Sequence, residues 1–279
     1  IYKPNFKVGS KKFTVNLGTK FTVGKTSTLD EDVEAYLSYM GPVGCRNEAK
    51  EVALDTFVKS AKKHNYWKDI ELLYLPVWGS ASINSINLKD IGNNSFVLNQ
   101  GANPITASCE FLLMPATITQ NSFINTMISP SALGMTATKS FYSIGIKSAT
   151  SSAINETVLG SRTSNGEVSF QIQNNIFRVK YGLQSSSTTH NPGKNLWTLN
   201  VHPQSNSGSP SIYKNSTLQN TISPQGDMVP ANPIYIGALN VGGADYLNSS
   251  TDQYSFFCMG KGLEDVDQFT KDVDALLDI

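Results

Sequence analysis

From Leu72 to Gly260 the chain runs in short apolar and polar alternations, broken by clusters of Gly, Pro, Asn and Ser. A period of two is the mark of half-buried strands. The pattern predicts strands over Leu72–Trp78, Ser95–Leu98, Thr106–Met114, Lys139–Lys147, Thr157–Arg162, Glu167–Gln173, Ile176–Lys180, Leu196–His202 and Ser211–Tyr213. So many short strands at close spacing argue for a β-sandwich rather than βαβ units. The clearest hairpin sets Phe170 and Ile172 against Phe177 and Val179 across Asn174-Asn175, since Asn tolerates the positive φ of a tight turn. Ser185–Ser187 and Pro203–Pro210 read as exposed loops. In the strand around Trp197, that residue shares its face with Leu199 and Val201, which points it into the core.

Helical spacing appears on both sides of this block. Thr28 and Glu31 form a capping box, and Leu29, Val33, Leu37 and Met40 make the stripe of a short helix stopped by Gly41-Pro42. A second helix is predicted from about Asn47 to Tyr66, with the stripe Val52, Ala53, Phe57, Ser60, Ala61 and His64. His64 reads as helix-end packing, since no metal partner lies at i+4. The chain ends strand, strand, helix. Ile234 and Ile236 oppose Tyr235 in the first strand, Tyr254–Met259 is the second, and Leu263, Val266, Phe269, Val273, Leu276 and Leu277 recur at helical spacing. Glu264, Asp265 and Asp267 suit the positive end of that helix. At the other end, Phe6–Val8, Phe13–Leu17 and Phe21–Val23 form a small β arm. Its apolar residues, Val8, Phe13, Val15, Leu17, Phe21 and Val23, are too few for an independent sheet and need a partner. The start at Ile1 leads us to expect a segment upstream.

Composition narrows the chemistry. The formal net charge is zero and 16% of residues are charged, which leaves no electrostatic footprint for nucleic acid. Polarity comes from Ser, Thr, Asn and Gln, suited to an extracellular or virion surface. No apolar run approaches the ~20 residues of a membrane span. Cys45, Cys109 and Cys258 are odd in number and far apart, and are expected to be buried free thiols rather than a disulfide framework or zinc site. Gly18 to Thr26 nearly spells a phosphate-binding loop, but has one residue too many between its glycines and no buried strand before it.

Catalytic signals are missing. Polysaccharide-cleaving enzymes need paired carboxylates facing one sugar, yet Glu167 stands alone in its strand and Glu110 has no carboxylate two residues away. There is no Gly-x-Ser-x-Gly elbow and no His-Glu-x-x-His helix, and His190 and His202 are isolated. No catalytic residue, cofactor or metal ligand is therefore assigned. Glycan binding needs only an exposed aromatic and a few polar groups on loops. The candidates are Tyr246 with Asp245 and Asn248 in a glycine-rich loop, and Tyr213; Trp78 and Trp197 read more simply as core. Glycosylation-type triplets begin at Asn93, Asn155, Asn215 and Asn248; they would mark surface loops in a secreted eukaryotic protein.

Several phrases fall in a telling order. Ile234-Tyr-Ile-Gly-Ala238, Tyr254-Ser-Phe256 and Gly260-Lys-Gly-Leu263 close the chain; Leu29-Asp-Glu-Asp32, Ala35-Tyr36, Thr56-Phe-Val58, Lys62 and Trp67-Lys68 lead into Ile70–Leu75. This order resembles the concanavalin A/laminin-G-like jelly-roll module of structural proteins of tailed bacteriophages, over roughly Leu29 to Ile279. The resemblance implies a mainly β fold, a jelly-roll β-sandwich with a helical lead-in at 28–70 and, at 71–279, the sandwich with its closing C-terminal helix; the N-terminal β arm, 1–27, lies outside it. It further implies a non-enzymatic virion component, of tail, fibre, baseplate or capsid decoration, that forms a homo-oligomer, meets other virion subunits and engages bacterial surface glycan. In that setting Phe13, Val15, Leu17 and Phe21 form an assembly arm. The alternatives are a lectin-like carbohydrate-binding module of a secreted or cell-surface protein, and a glycan hydrolase or lyase.

Overall fold

A computed structural model describes residues 5–8, 11–14, 29–100, 105–114, 122–148, 156–164, 166–191, 193–204, 208–223, 229–242, 244–246 and 252–278. Among these residues the body is a sandwich of two mainly antiparallel sheets, as the strand pattern predicts, with a layer of helices on one outer face.

The first sheet runs, in spatial order, Gln184–Thr189, Ile176–Gly182, Gly166–Gln173, Glu156–Thr163, Tyr235–Ile236, Ser122–Asn125 and Val97–Gln100. The second runs Thr217–Thr221, Ser211–Lys214, Asn195–Val201, Ser140–Ser148, Gln253–Gly260, Leu112–Leu113 and Thr106–Ala107, with Ile70–Tyr74 also paired to Gln253–Gly260. Alternate residues of both sheets fill the space between them, among them Val168, Phe170, Ile172, Phe177, Trp197 and Leu199. Trp197 and Phe177 stack from opposite sheets with centroids 3.7 Å apart and planes at 6°. The Asn174-Asn175 turn has φ of 49° and 61° and joins Gln173 to Ile176, as a two-residue hairpin of this kind requires.

The second sheet is covered on its outer face as well. Leu73, Phe141, Leu196, Phe256 and Cys258 project from it into a second core, shared with the helices Glu31–Met40, Glu48–Lys63 and Val266–Leu277. Phe269 of the terminal helix lies edge-on to Tyr66 and Phe141. Polar side chains lock the layer laterally: Ser60 Oγ and Tyr66 OH both donate to Asp272 Oδ2, at 2.7 and 2.6 Å, and Trp67 Nε1 donates to Asp32 Oδ2 at 2.9 Å. Burial opposes ionisation of Asp32, but Lys62 and Trp67 outweigh it and hold its pKa below the usual carboxylate value.

Several expectations change in detail. The first helix is capped by Asp30, which accepts the Asp32 N–H at 3.0 Å; Thr28 of the expected capping box lies outside the described residues. The second helix buries Leu54, Phe57, Val58 and Ala61 and exposes Val52, so its apolar stripe is rotated from the expected one. The run Ser185–Ser187, expected to be a loop, belongs to the edge strand Gln184–Thr189. Thr217–Thr221 and Ser122–Asn125 are strands with no counterpart in the sequence reading. The near-phosphate loop lies outside the described residues. Of the arm, Asn5–Val8 pairs with Lys11–Thr14, bringing Phe6 opposite Phe13; Val15, Leu17 and Phe21 fall outside.

The cysteines need the largest correction. Thr106–Met114 is not one strand but the hairpin Thr106–Ala107 and Leu112–Leu113, its tip held by Ser108 Oγ accepting the N–H groups of Glu110 and Phe111. Cys109 is therefore at an exposed tip, not buried in a strand. It is bonded to Cys45, which lies between the first two helices, with Cα atoms 5.2 Å apart, inside the normal range for a disulfide. Cys258 is a buried free thiol, as expected.

Candidate functional site

Among the described residues no helical layer covers the outer face of the first sheet, as one does the second sheet's, and the hairpin across Asn174-Asn175 decides what that face carries. Because Val168, Phe170 and Ile172 point into the core, Glu167, Ser169, Gln171 and Gln173 project the other way. Register extends them into rows. Ser169 lies opposite Lys180, which lies opposite Ser185; Gln171 lies opposite Arg178, then Ser187; Gln173 lies opposite Ile176, then Thr189. Lys180, Arg178 and Gln171 are half-buried, and Ser185, Ser187 and Thr189 are exposed.

Glu167 anchors one end of this ladder. Only 6% exposed, its Oε1 accepts from Ser169 Oγ and, at 3.2 Å, from Gln171 Nε2, while Oε2 lies 3.3 Å from Lys180 Nζ and 3.9 Å from Arg162 Nε. A carboxylate can stay charged at such burial because donors surround it. Gly160 makes the burial possible. A Cβ there would come 2.6 Å from Leu239 Cδ1 and 2.9 Å from Ser169 Cβ, so a glycine lets Leu239 close over the cluster's edge. Three cations, Arg162, Lys180 and Arg178, share this face with one carboxylate, Arg178 standing in the next row opposite Gln171, which leaves a surplus of two positive charges among the described side chains of this face.

The sequence candidates distribute unevenly around this surface. Asp245 and Tyr246 are on the strand Ala244–Tyr246, which pairs with Leu239–Val241, Asp245 opposite Asn240 and Tyr246 opposite Leu239. That hairpin joins the open sheet through Asn240 beside Ser161 and Val241 beside Arg162, so it borders the Glu167 cluster. Asn248 lies outside the described residues. Tyr213 is in the other sheet, half-buried against the helical layer, and is not brought together with Tyr246. Trp78 and Trp197 are core residues, 2% and 0% exposed. The Asn215 amide is engaged in a turn, its Oδ1 accepting the Leu196 N–H at 2.9 Å.

Sequence reasoning did not pick out Gln171, Arg178 and Lys180. The signal was in the hairpin it did recognise: the polar partners of its apolar face define one surface. The remaining polar groups are structural. His64 ends its helix with Nδ1 3.0 Å from the Ser60 carbonyl. Glu110 is exposed and paired with Lys147. Among the described residues no group of three His, Cys, Asp or Glu side chains could hold a metal ion, and no helix is long and apolar enough to cross a membrane.

No protein-family model and no curated protein matches this chain. Solved structures do share its fold. Trypanosoma rangeli sialidase superposes with a TM-score of 0.53 at 9% identity, over 80% of this chain and 39% of the sialidase. The binding domain of botulinum neurotoxin DC, solved with rat synaptotagmin II, gives 0.52 at 13% identity, over 75% of this chain and 52% of that one. A further receptor binding domain gives 0.53 at 13% identity, over 78% and 53%. This chain thus matches about two-fifths to a half of those chains' lengths. At such identities the likeness carries the β-sandwich fold and no chemistry.

Proposed function

We propose that this chain is a non-catalytic carbohydrate-binding module whose open sheet face takes an acidic glycan. The observation that carries this reading is the ladder of Gln171, Arg178, Lys180, Ser185 and Ser187 with its surplus of positive charge. Side-chain amides and hydroxyls match the paired donors and acceptors of sugar hydroxyls, and a guanidinium matches a carboxylate or sulfate in a two-pronged geometry. The neighbouring hairpin with Asp245 and Tyr246 supplies a rim where specificity can vary independently of the sheet. Glu167, engaged by four side chains, holds Lys180 in place; it has no second carboxylate one pleat away to share acid and base roles.

The test is calorimetric titration with panels of neutral and acidic oligosaccharides. We expect acidic members to bind, binding to weaken with salt, and Arg178→Ala to lose about tenfold in affinity, as for one charge-assisted contact, with unchanged melting. Failure of every acidic glycan to bind, or an unchanged affinity in the variant, overturns the assignment. Incubation with the same panel should release no product; release abolished by Glu167→Gln would make the chain an enzyme.

A second reading concerns setting: a tailed-phage virion component that displays this module, forms a homo-oligomer and docks on other virion subunits through its N-terminal arm. The order of phrases from Leu29 to Leu263 favours it, and the Cys45–Cys109 bond suits an extracellular particle, where disulfides persist. Mass spectrometry of purified particles tests it. Deleting residues 1–24 should abolish incorporation while leaving the sandwich folded; a truncated chain that still assembles rules the arm out as an assembly device.

A further inference from the structure

A cleft separate from the open sheet face lies between the helical layer and the rim of the sandwich. Its walls are Leu54, Leu75, Val77, Trp78, Leu276 and Leu277. The narrow interior amounts to about 60 Å³, well below the ~150 Å³ of an apolar cavity that admits benzene. By the same measure it has room for a tail of about two or three carbons and not for a ring.

Three ammonium groups line this cleft, and they are not equivalent. Lys147 is paired with Glu110 and Lys194 with Asp278. Lys50 meets no carboxylate among the described residues; it donates to the carbonyls of Val77, at 2.7 Å, and Cys109, with its Nζ 5.7 Å from the Trp78 ring centroid. An ammonium has three donors, so one is left to point at a ligand. Burial, and then repulsion from Lys147, push the Lys50 pKa down, which is the response of a cation lacking a counter-ion. The tip carrying Cys109 and Glu110 forms part of the lining, and the bond to Cys45 fixes that tip to the helical layer.

We infer that this cleft is a binding site for a short-chain carboxylate, with its unbranched apolar tail in the slot and its carboxylate on Lys50. Apolar walls supply the affinity for the tail, and the single uncompensated charge selects one anionic head. The disulfide preorganises the site by holding its lip.

Calorimetry on the intact, disulfide-bonded chain tests this, with butanoate as probe and butanol as its neutral counterpart. We expect saturable one-to-one binding of butanoate, with butanol weaker. Lys50→Gln should weaken butanoate about tenfold, the loss of one charge-assisted contact, while Lys50→Arg retains it. Glu110→Gln, on an exposed tip and outside the packed core, should tighten butanoate severalfold by removing a carboxylate that repels an anionic head at the lip. Dithiothreitol, which gives two electrons and two protons to the Cys45–Cys109 bond and closes to its own cyclic disulfide, should weaken binding. Absence of saturable binding, equal affinity for butanol, or affinities unmoved by both Lys50→Gln and Glu110→Gln overturn the site. An affinity unchanged by reduction overturns the role of the lip.

Discussion

Asn200 and Leu263 are joined through one carboxamide that serves both backbone groups of a single residue. Asn200 Nδ2 donates to the Leu263 carbonyl at 2.9 Å, and Asn200 Oδ1 accepts the Leu263 N–H at 2.7 Å. Both residues are 0% exposed. The side chain acts as a missing strand neighbour where the chain leaves Gly260 and turns, through Gly262 at φ 85°, toward the terminal helix. Asn200→Ala leaves two buried backbone groups unsatisfied, at about 1–3 kcal/mol each. Urea unfolding should show a loss of about 2–6 kcal/mol; a loss under about 1 kcal/mol would mean that water replaces the amide.

The terminal helix closes the outer core. Val266, Phe269, Val273 and Leu276 are buried against the sheet and the second helix, and Phe269 meets Tyr66, Phe141 and Phe256. Phe269→Ala should cost about 3–5 kcal/mol through lost contacts and the cavity left behind. Removing everything after Gly262 should yield insoluble or unfolded protein, and a truncated chain that melts like the parent would show that the sandwich stands without its outer layer.

The disulfide spans 64 residues, and by the chain-entropy argument closing such a loop contributes about 4 kcal/mol. Replacing Cys45 and Cys109 together by Ser should lower stability by that amount without altering the fold, read as a lower urea midpoint with a slope that rises as the uncrosslinked denatured chain exposes more surface. Treatment of the wild type with reductant should reproduce the shift.

His190 gives the stability a pH dependence. It is 1% exposed, with neither ring nitrogen hydrogen-bonded to protein, and is flanked by the rings of Phe177 and Trp197. Burial, then the charge of Lys214, push its pKa below the usual 6.5. As pH falls below 6.5 the unfolded chain takes up this proton before the folded one, so stability is full above 6.5 and declines toward the lowered folded value. Asp32 acts lower: its depressed pKa contributes stability above 3.8 that is lost as pH falls through the folded value. Unfolding midpoints between pH 8 and 5 should fall on the acid side. His190→Gln should flatten that slope, and a variant with the wild-type slope would assign it elsewhere.

Much of the fold is legible from local pattern, because side-chain direction along a strand or helix is fixed by backbone geometry alone. The alternation at Phe170, Ile172, Phe177 and Val179, the tolerance of Asn174-Asn175 for positive φ, and the spacing from Val266 to Leu276 each determine an element without reference to the rest of the chain. What lies outside such patterns was decided by tertiary structure. Whether Thr106–Met114 runs straight or folds back depends on Ser108 binding the backbone of its own tip, and only that reversal brings Cys109 to Cys45. Tyr213 and Tyr246 look alike in sequence yet belong to different sheets, since strand order is set by pairings between distant segments. The open ladder follows the same logic. The sequence determined that Gln171, Arg178 and Lys180 share a face, but only tertiary packing put the described helices on the second sheet and not on the first, because each apolar face needs one cover and the helices carry a single apolar stripe each.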